Sequence, residues 1–171
     1  MLRLFILRHA KSSWGTAGVA DVQRPLNERG IRDLPRIAAV MAKRNYQPEI
    51  VYCSSANRTR MTLNGLFSGH VAPPPVIYSD LLYSGGMQDY LRIIAAHKSP
   101  ESILIIGHNP CVHMLAAHLA EQGKTSKMDE LAIKYPTGTL SVIDFDFKEW
   151  SQIQDNKGTL IDFICPRSLR D

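Results

Sequence analysis

The sequence predicts a three-layer α/β/α domain, with helices on both faces of a mainly parallel sheet and an antiparallel strand addition near the C-terminus. Three observations lead there. Short, nearly continuous apolar runs alternate with longer stretches of helical periodicity, the pattern of α/β domains. The runs lack a polar alternate face, as expected of strands covered on both sides. The C-terminal part changes character, with two apolar or alternating runs separated by a polar stretch.

The predicted buried strands are Leu2 to Leu7, Ile50 to Cys53, Val76 to Tyr78 and Ile103 to Ile106. Between them lie the helices. One starts after Asn27, a good N-cap, and continues through Ile37, Val40 and Met41, with Pro35 expected to kink it. A second follows Ser54-Ser55 and runs to about Phe67. A third covers roughly Met87 to Ala96. A fourth starts at Asn109-Pro110, read as N-cap and first helical residue, and carries Met114, Leu115 and Leu119 on one stripe. Thr139 to Phe147 and Thr159 to Cys165 are the two closing strands, expected to pair antiparallel. Lys148 to Gly158, between them, is polar apart from Trp150 and Ile153. Gln122 to Thr137 shows little pattern and reads as a loop that lines a pocket.

The chain has 171 residues, which fits a single domain over 1–171. At 44% hydrophobic and 21% charged it has an ordinary globular composition. Its three cysteines, Cys53, Cys111 and Cys165, have no paired spacing, so neither a disulfide framework nor zinc is expected. No apolar stretch approaches the roughly 20 residues of a membrane span. The apolar N-terminus is too short for a signal segment and reads as a core strand, making the cytoplasm the expected location. The net charge of +4 is spread along the chain rather than concentrated in a basic block. That excludes an obvious nucleic-acid face and suits an anionic substrate.

Polar chemistry sits at the ends of three predicted strands. Arg8-His9 follows the first, Ser54-Ser55-Ala56-Asn57-Arg58 the second, and Gly107-His108-Asn109-Pro110 the fourth. In open α/β sheets, ligands bind outside the carboxyl ends of the strands, so these residues are expected to converge. Two arginines and two histidines then share one cleft, with no acidic residue in those short stretches. Arginine's planar fork suits phosphate, and helix N-termini add backbone donors. A neutral imidazole, with an unperturbed pKa of about 6.5, is a competent nucleophile near pH 7. His9 attacking phosphorus gives a phosphohistidine that water hydrolyses, with the arginines stabilising the equatorial oxygens. No metal or other cofactor is required by that chemistry.

These residues resemble the histidine phosphatase superfamily. Arg8-His9 is similar to its Arg-His signature, although Ala10 stands where the family has glycine. Ser54 to Thr62 resembles its serine-containing turn and arginine, and Gly107-His108-Asn109-Pro110 its second histidine motif. Arg24-Pro25-Leu26-Asn27-Glu28-Arg29-Gly30 resembles a segment of the SixA-type phosphohistidine phosphatases. The likeness covers nearly the whole chain. It implies a phosphoglycerate mutase-like fold, with His9 as nucleophile and Arg8, Arg58 and His108 gripping phosphate or sulfate. It also implies Arg24 near the substrate. Many relatives carry an acidic proton donor after the third strand. Here Asp80 is the candidate. An alkoxide needs a proton as it leaves, whereas imidazole is a better leaving group. The resemblance therefore favours phosphohistidine on a phosphotransfer or signalling protein as substrate. A small phosphorylated metabolite is the alternative, and a non-catalytic phosphate- or phosphoprotein-binding module a third reading.

Another enzyme class competes. Cys53 precedes Arg58 in a strand-loop-helix, as the nucleophile does in cysteine phosphatases. The spacing, Cys-x4-Arg, is one residue shorter than their phosphate loop requires, and the apolar strand around Cys53 favours an inert thiol. His113 and His118 are spaced onto different helical faces from each other, which argues against a triple-histidine metal site with His108.

Overall fold

The structure, a computed structural model, describes residues 1–14, 17–69, 72–154 and 157–169. Its strands are β1 (Leu2–Arg8), β2 (Ile50–Ser54), β3 (Val76–Ser79), β4 (Ser102–Gly107), β5 (Ala120–Gly123), β6 (Leu140–Phe145) and β7 (Gly158–Ile164). They form one sheet in the order β3-β2-β4-β1-β6-β7-β5. β1, β4, β2 and β3 pair in parallel, as does β5 with β7. Strand β6 alone runs against its neighbours, antiparallel to both β1 and β7. The antiparallel addition is therefore one reversed strand, and the sheet beyond it returns to the original direction.

The helices are α1 (Glu28–Lys43), α2 (Asn57–Leu66), the single turn α3 (Leu81–Ser84), α4 (Met87–Ala95), α5 (Cys111–Leu119) and α6 (Thr125–Ile133). Asn27 caps α1 as expected: its Oδ1 accepts from the Gly30 N–H at 3.0 Å. Pro35 sits inside α1 without ending it. It lies on the exposed side, where water can satisfy the carbonyl left without its N–H partner. The expected α5 start is corrected by one residue. Pro110 occupies the N-cap position, and Asn109 directs its amide elsewhere.

The segment read as a patternless loop, Gln122 to Thr137, contains the second half of β5 and all of α6. Neither carries a periodic apolar stripe, because each buries little: Leu131 is the buried residue of α6 and Ala120 that of β5. The polar stretch between the closing strands folds its two apolar residues inward. Trp150 and Ile153 sit buried on a 3-10 turn.

Strand parity splits the core into two layers. Leu4 and Ile6 of β1, with Ile103 and Ile105 of β4, pack against Tyr90, Leu91 and Ile94 of α4 and Val112, Leu115 and Leu119 of α5. Phe5, Leu7, Leu104 and Ile106 face the other way, onto Ile37 and Met41 of α1 and Leu63 and Leu66 of α2. Full burial on both faces explains why these strands read as continuous apolar runs. Among the described residues, no helix is long and apolar enough to cross a membrane.

Candidate active site

The location of the site follows from the connections. β1 and β4 are neighbours, but the chain leaves β1 for α1 on one face and β4 for α5 on the other. Between their carboxyl ends the diverging chains open a crevice, the ligand position of open α/β sheets. The register ends with Arg8 opposite Gly107, so His9 and His108 are the next residues on each side. The His9 N–H donates to the Gly107 carbonyl at 3.1 Å, and the two imidazoles lie with centroids 5.1 Å apart, tilted by 52°.

His9 is 7% exposed. Its Nδ1 lies 2.7 Å from the Ala10 carbonyl, which can only accept. The proton of the neutral ring is therefore on Nδ1, and Nε2 carries the free lone pair. Two buttresses hold this turn. The Ala10 N–H donates to Thr62 Oγ1 of α2 at 3.0 Å, and the Asn27 N–H donates to the Lys11 carbonyl at 2.9 Å. Gly30 explains the end of the Arg-Pro-Leu segment. A Cβ there would sit 2.3 Å from the Lys11 carbonyl oxygen, so only glycine lets α1 approach the histidine turn. Burial, with Arg58, Arg8 and Arg24 nearby, pushes the His9 pKa down to about 4, despite the opposing hydrogen bond to Ala10. The ring is neutral at pH 7.

His108 is 9% exposed and bonds through Nε2 to Ser54 Oγ at 2.7 Å. Ser54 Oγ also accepts from the Ala56 N–H at 3.4 Å, so its hydroxyl proton is free to point at Nε2. That assignment, made from the network, leaves the His108 proton on Nδ1. Burial first, then His9 and Arg58, depress the His108 pKa to about 3.

Arg8 donates from Nη1 to the Tyr135 carbonyl at 2.8 Å, and burial lowers its pKa from the usual guanidinium value. Gly138, with a φ of 75°, ties the segment carrying Tyr135 to the end of β1: its N–H donates to the Arg8 and His9 carbonyls. Arg58, in the first turn of α2, is 6% exposed. Its Nη1 donates to the Asp21 carbonyl at 2.8 Å and its Nη2 to Asp21 Oδ2 at 3.1 Å.

Asp21 is the hub that the sequence did not announce. Besides Arg58 it accepts from Arg24 Nε at 2.9 Å and from the Tyr83 hydroxyl at 2.9 Å. Burial works against its charge, but Tyr83, Arg58 and Arg24 outweigh it and hold the carboxyl below its ordinary pKa. Tyr83 in turn places its ring edge-on to His108 with centroids 5.6 Å apart. The "Asp-x-x-Arg" spacing of Asp21 and Arg24 was the available clue, since an i,i+3 pair of opposite charge readily meets in a helical turn.

The structure thus brings Arg8, His9, Arg58 and His108 together and joins Arg24 to them through Asp21. Arg24 also donates to the Ser13 carbonyl and stacks 4.1 Å from the centroid of Trp14, whose side chain is 77% exposed. Asp80 stands apart. It is exposed at the start of α3, and among the described residues its side chain makes no hydrogen bond or ion pair with the cluster. Cys53 points into the apolar layer beneath α1 and α2, is fully buried, and has its thiol pushed up to about 12 by burial. It is no thiolate nucleophile at neutral pH. His113 donates from Nε2 to the Leu131 carbonyl at 2.6 Å, and His118 lies beside Lys157. Among the described residues, no group of three or more His, Cys, Asp or Glu side chains is arranged to hold a metal ion.

Arg8 Nε, Arg58 Nε and His108 Nδ1 are buried without a hydrogen-bond partner among the described residues. Buried polar groups are ordinarily paired. Three unpaired donors, two of them cationic, around a neutral imidazole with a free lone pair suit a tetrahedral oxyanion.

Comparison with known proteins agrees. Residues 4–82 match the family model described as the histidine phosphatase superfamily, branch 1. A protein of Agrobacterium tumefaciens described as the "putative phosphohistidine phosphatase SixA" is 30% identical. The alignment covers 96% of this chain and 98% of that one, with a TM-score of 0.82. A protein histidine phosphatase SixA solved with tungstate shares the fold at 23% identity, with coverage of 99% and 100% and a TM-score of 0.78. An uncharacterized chloroplastic protein of Arabidopsis thaliana is 32% identical over 117 residues, 63% of this chain and 54% of its own length. The chain thus spans about half of that relative. With a phosphoglycerate mutase-like fold over nearly its full length and the signature residues gathered at the crevice, this chain belongs to the histidine phosphatase superfamily, in its SixA-type branch.

Proposed function

We propose that the protein is a phosphatase that forms a covalent phosphohistidine on His9, and that it removes phosphate from phosphohistidine on a phosphotransfer or signalling protein in the cytoplasm. The observation that carries this reading is the state of His9. Its Nδ1–H is committed to the Ala10 carbonyl, leaving Nε2 as a neutral nucleophile beside unpaired buried donors of Arg8, Arg58 and His108.

In the first step the Nε2 lone pair attacks phosphorus, and the bond to the leaving group breaks with its electron pair. Because His9 keeps its Nδ1 proton, the product is a phosphoimidazolium, itself a good phosphoryl donor. Arg8 and Arg58 hold the equatorial oxygens where charge is spread in the transition state. In the second step water attacks phosphorus, the P–N bond breaks, and the electron pair returns to Nε2. The released group is dihydrogen phosphate, which retains both protons of the water.

The leaving group decides the substrate class. An alkoxide needs a proton donor, but the carboxyl of Asp21 is held ionised by its three partners, and among the described residues the Asp80 side chain makes no hydrogen bond or ion pair with the cluster. A phosphohistidine protonated on its other nitrogen departs as neutral imidazole and needs no acid from the enzyme. The name of the Agrobacterium relative supports the same reading.

The test is phosphate release from a phosphohistidine-bearing protein and from p-nitrophenyl phosphate, by wild type, His9→Ala and Cys53→Ser. The expected result is loss of activity in His9→Ala alone, with the phosphohistidine protein preferred. Preference for p-nitrophenyl phosphate would make the protein a general phosphomonoesterase. Tungstate binding without turnover of either substrate would make it a binding module.

A further inference from the structure

We infer that Asn109 positions the water that hydrolyses the His9 phosphoenzyme, holding it by a hydrogen bond that the water donates to Asn109 Oδ1. The inference rests on the reading of His9 as nucleophile.

One contact fixes the orientation of the Asn109 amide. Asn109 Nδ2 lies 3.1 Å from the Tyr135 carbonyl, which can only accept, so the two ends of the amide are assigned without ambiguity. Oδ1 is then the free end, and it is buried with no partner among the described residues. It differs from the other three unpaired buried atoms in kind. Arg8 Nε, Arg58 Nε and His108 Nδ1 are donors, and a phosphate oxygen satisfies each. A phosphoryl group on Nε2 carries oxygens and, at neutral pH, no proton to give. It therefore leaves Asn109 Oδ1 unsatisfied, and a buried acceptor without a donor is costly.

Water is the reactant that has a proton to offer. Asn109 follows His108 directly, and its amide shares the Tyr135 carbonyl with Arg8 Nη1, which lies 2.8 Å from that oxygen. The acceptor therefore belongs to the same few residues that hold phosphate. Orientation is what the second step needs. The water oxygen must aim a lone pair at phosphorus while its hydrogens point away. One hydrogen accepted by Oδ1 fixes that orientation, and the proton stays on the oxygen through the attack. The P–O bond forms, the P–Nε2 bond breaks, the electron pair returns to His9, and dihydrogen phosphate is released with both water protons.

The role is confined to one half-reaction, which makes it separable from general damage. Rapid-quench kinetics with p-nitrophenyl phosphate read both halves: the first-turnover burst of p-nitrophenol reports phosphorylation, and the steady state reports hydrolysis. In Asn109→Ala the burst rate is expected to stay within about threefold of wild type. The steady-state rate is expected to fall roughly 10- to 100-fold, the scale of a lost orienting contact. Acid-labile, alkali-stable phosphate is expected to accumulate on His9, while tungstate affinity changes little. Asn109→Asp keeps an acceptor oxygen but loses the donor to Tyr135, so it is expected to hydrolyse the intermediate faster than Asn109→Ala.

Burst and steady state falling together, or Asn109→Asp falling as far as Asn109→Ala, would show that Asn109 only braces the Tyr135 segment and would overturn the inference. Unchanged hydrolysis in Asn109→Ala would overturn it as well. If wild type itself shows no phosphate on His9, the nucleophile assignment fails first and takes this inference with it. A phosphorylated His9 with normal hydrolysis in Asn109→Ala sinks the inference alone.

Discussion

Arg58 and Asp21, 37 residues apart in sequence, meet through two hydrogen bonds: Nη2 to Oδ2 at 3.1 Å and Nη1 to the Asp21 backbone carbonyl at 2.8 Å. The buried guanidinium is thereby aimed from α2 by a residue in the loop after β1. On the proposed reading of the crevice as an anion site, Asp21 has two opposing effects. It orients Arg58 and Tyr83, but its negative charge repels phosphate. Asp21→Ala is therefore expected to lower kcat roughly tenfold, through a loosened Arg58, while tungstate affinity holds or tightens. Steady-state kinetics and a tungstate titration check the two halves separately. Loss of affinity and rate in equal measure would mean that the carboxylate is only a brace.

The imidazole pair makes stability depend on pH. The folded pKa values of His9 and His108, about 4 and about 3, lie below the unfolded value of about 6.5. The unfolded chain therefore binds more protons between those limits, and stability falls as pH drops from about 6.5 toward 4. For His9 the full difference corresponds to about 3 kcal/mol. Urea midpoints measured at pH 7 and pH 4.5 are expected to differ, and His9→Gln is expected to shrink the difference. An unchanged pH slope in that variant would place the acid sensitivity elsewhere.

Ser54 sets the ring state of His108. Its hydroxyl, bonded to Nε2 at 2.7 Å, keeps the donor on Nδ1, the atom that binds phosphate in the proposed mechanism. Ser54→Ala frees the tautomer and leaves a buried nitrogen unpaired. Phosphate inhibition is expected to weaken about five- to tenfold, the equivalent of about 1 kcal/mol, with the fold retained. Competitive inhibition by inorganic phosphate and a circular dichroism melt measure both.

Cys53 offers the opposite contrast, a fully buried thiol raised to about 12 and packed in the apolar layer. Thiol alkylation of the native protein through Cys53 is expected to be negligible at pH 7.5. Cys53→Ser is expected to keep activity within about twofold while costing roughly 1–3 kcal/mol of stability for the buried hydroxyl. Inactivation of the folded Cys53→Ser protein would reopen the cysteine mechanism.

Much of the architecture was legible because buried strands advertise themselves. Leu2 to Leu7 and Ile103 to Ile106 are covered on both faces, and that burial is written directly as continuous apolar runs. The Asn27 cap was equally plain, since its side chain acts on the N–H of Gly30, three residues away. Strand β5 and helix α6 left no such mark. Each rests on the domain through few buried residues, so their sequences are free to be polar.

For the site, the sequence alone determined which residues sit at strand ends. Arg8, His9, Arg58 and His108 were identifiable because local patterning tells where an apolar strand gives way to polar residues. Only the tertiary structure decided their partners. Asp21 contacts the cluster from the segment after β1 and Tyr83 from α3, whereas the Asp80 side chain, among the described residues, does not, because contacts between distant segments depend on register and helix placement rather than on spacing. The same holds for the proton on His9. Nothing in the residue type says which ring nitrogen carries it; the Ala10 carbonyl, brought within 2.7 Å by the turn, does.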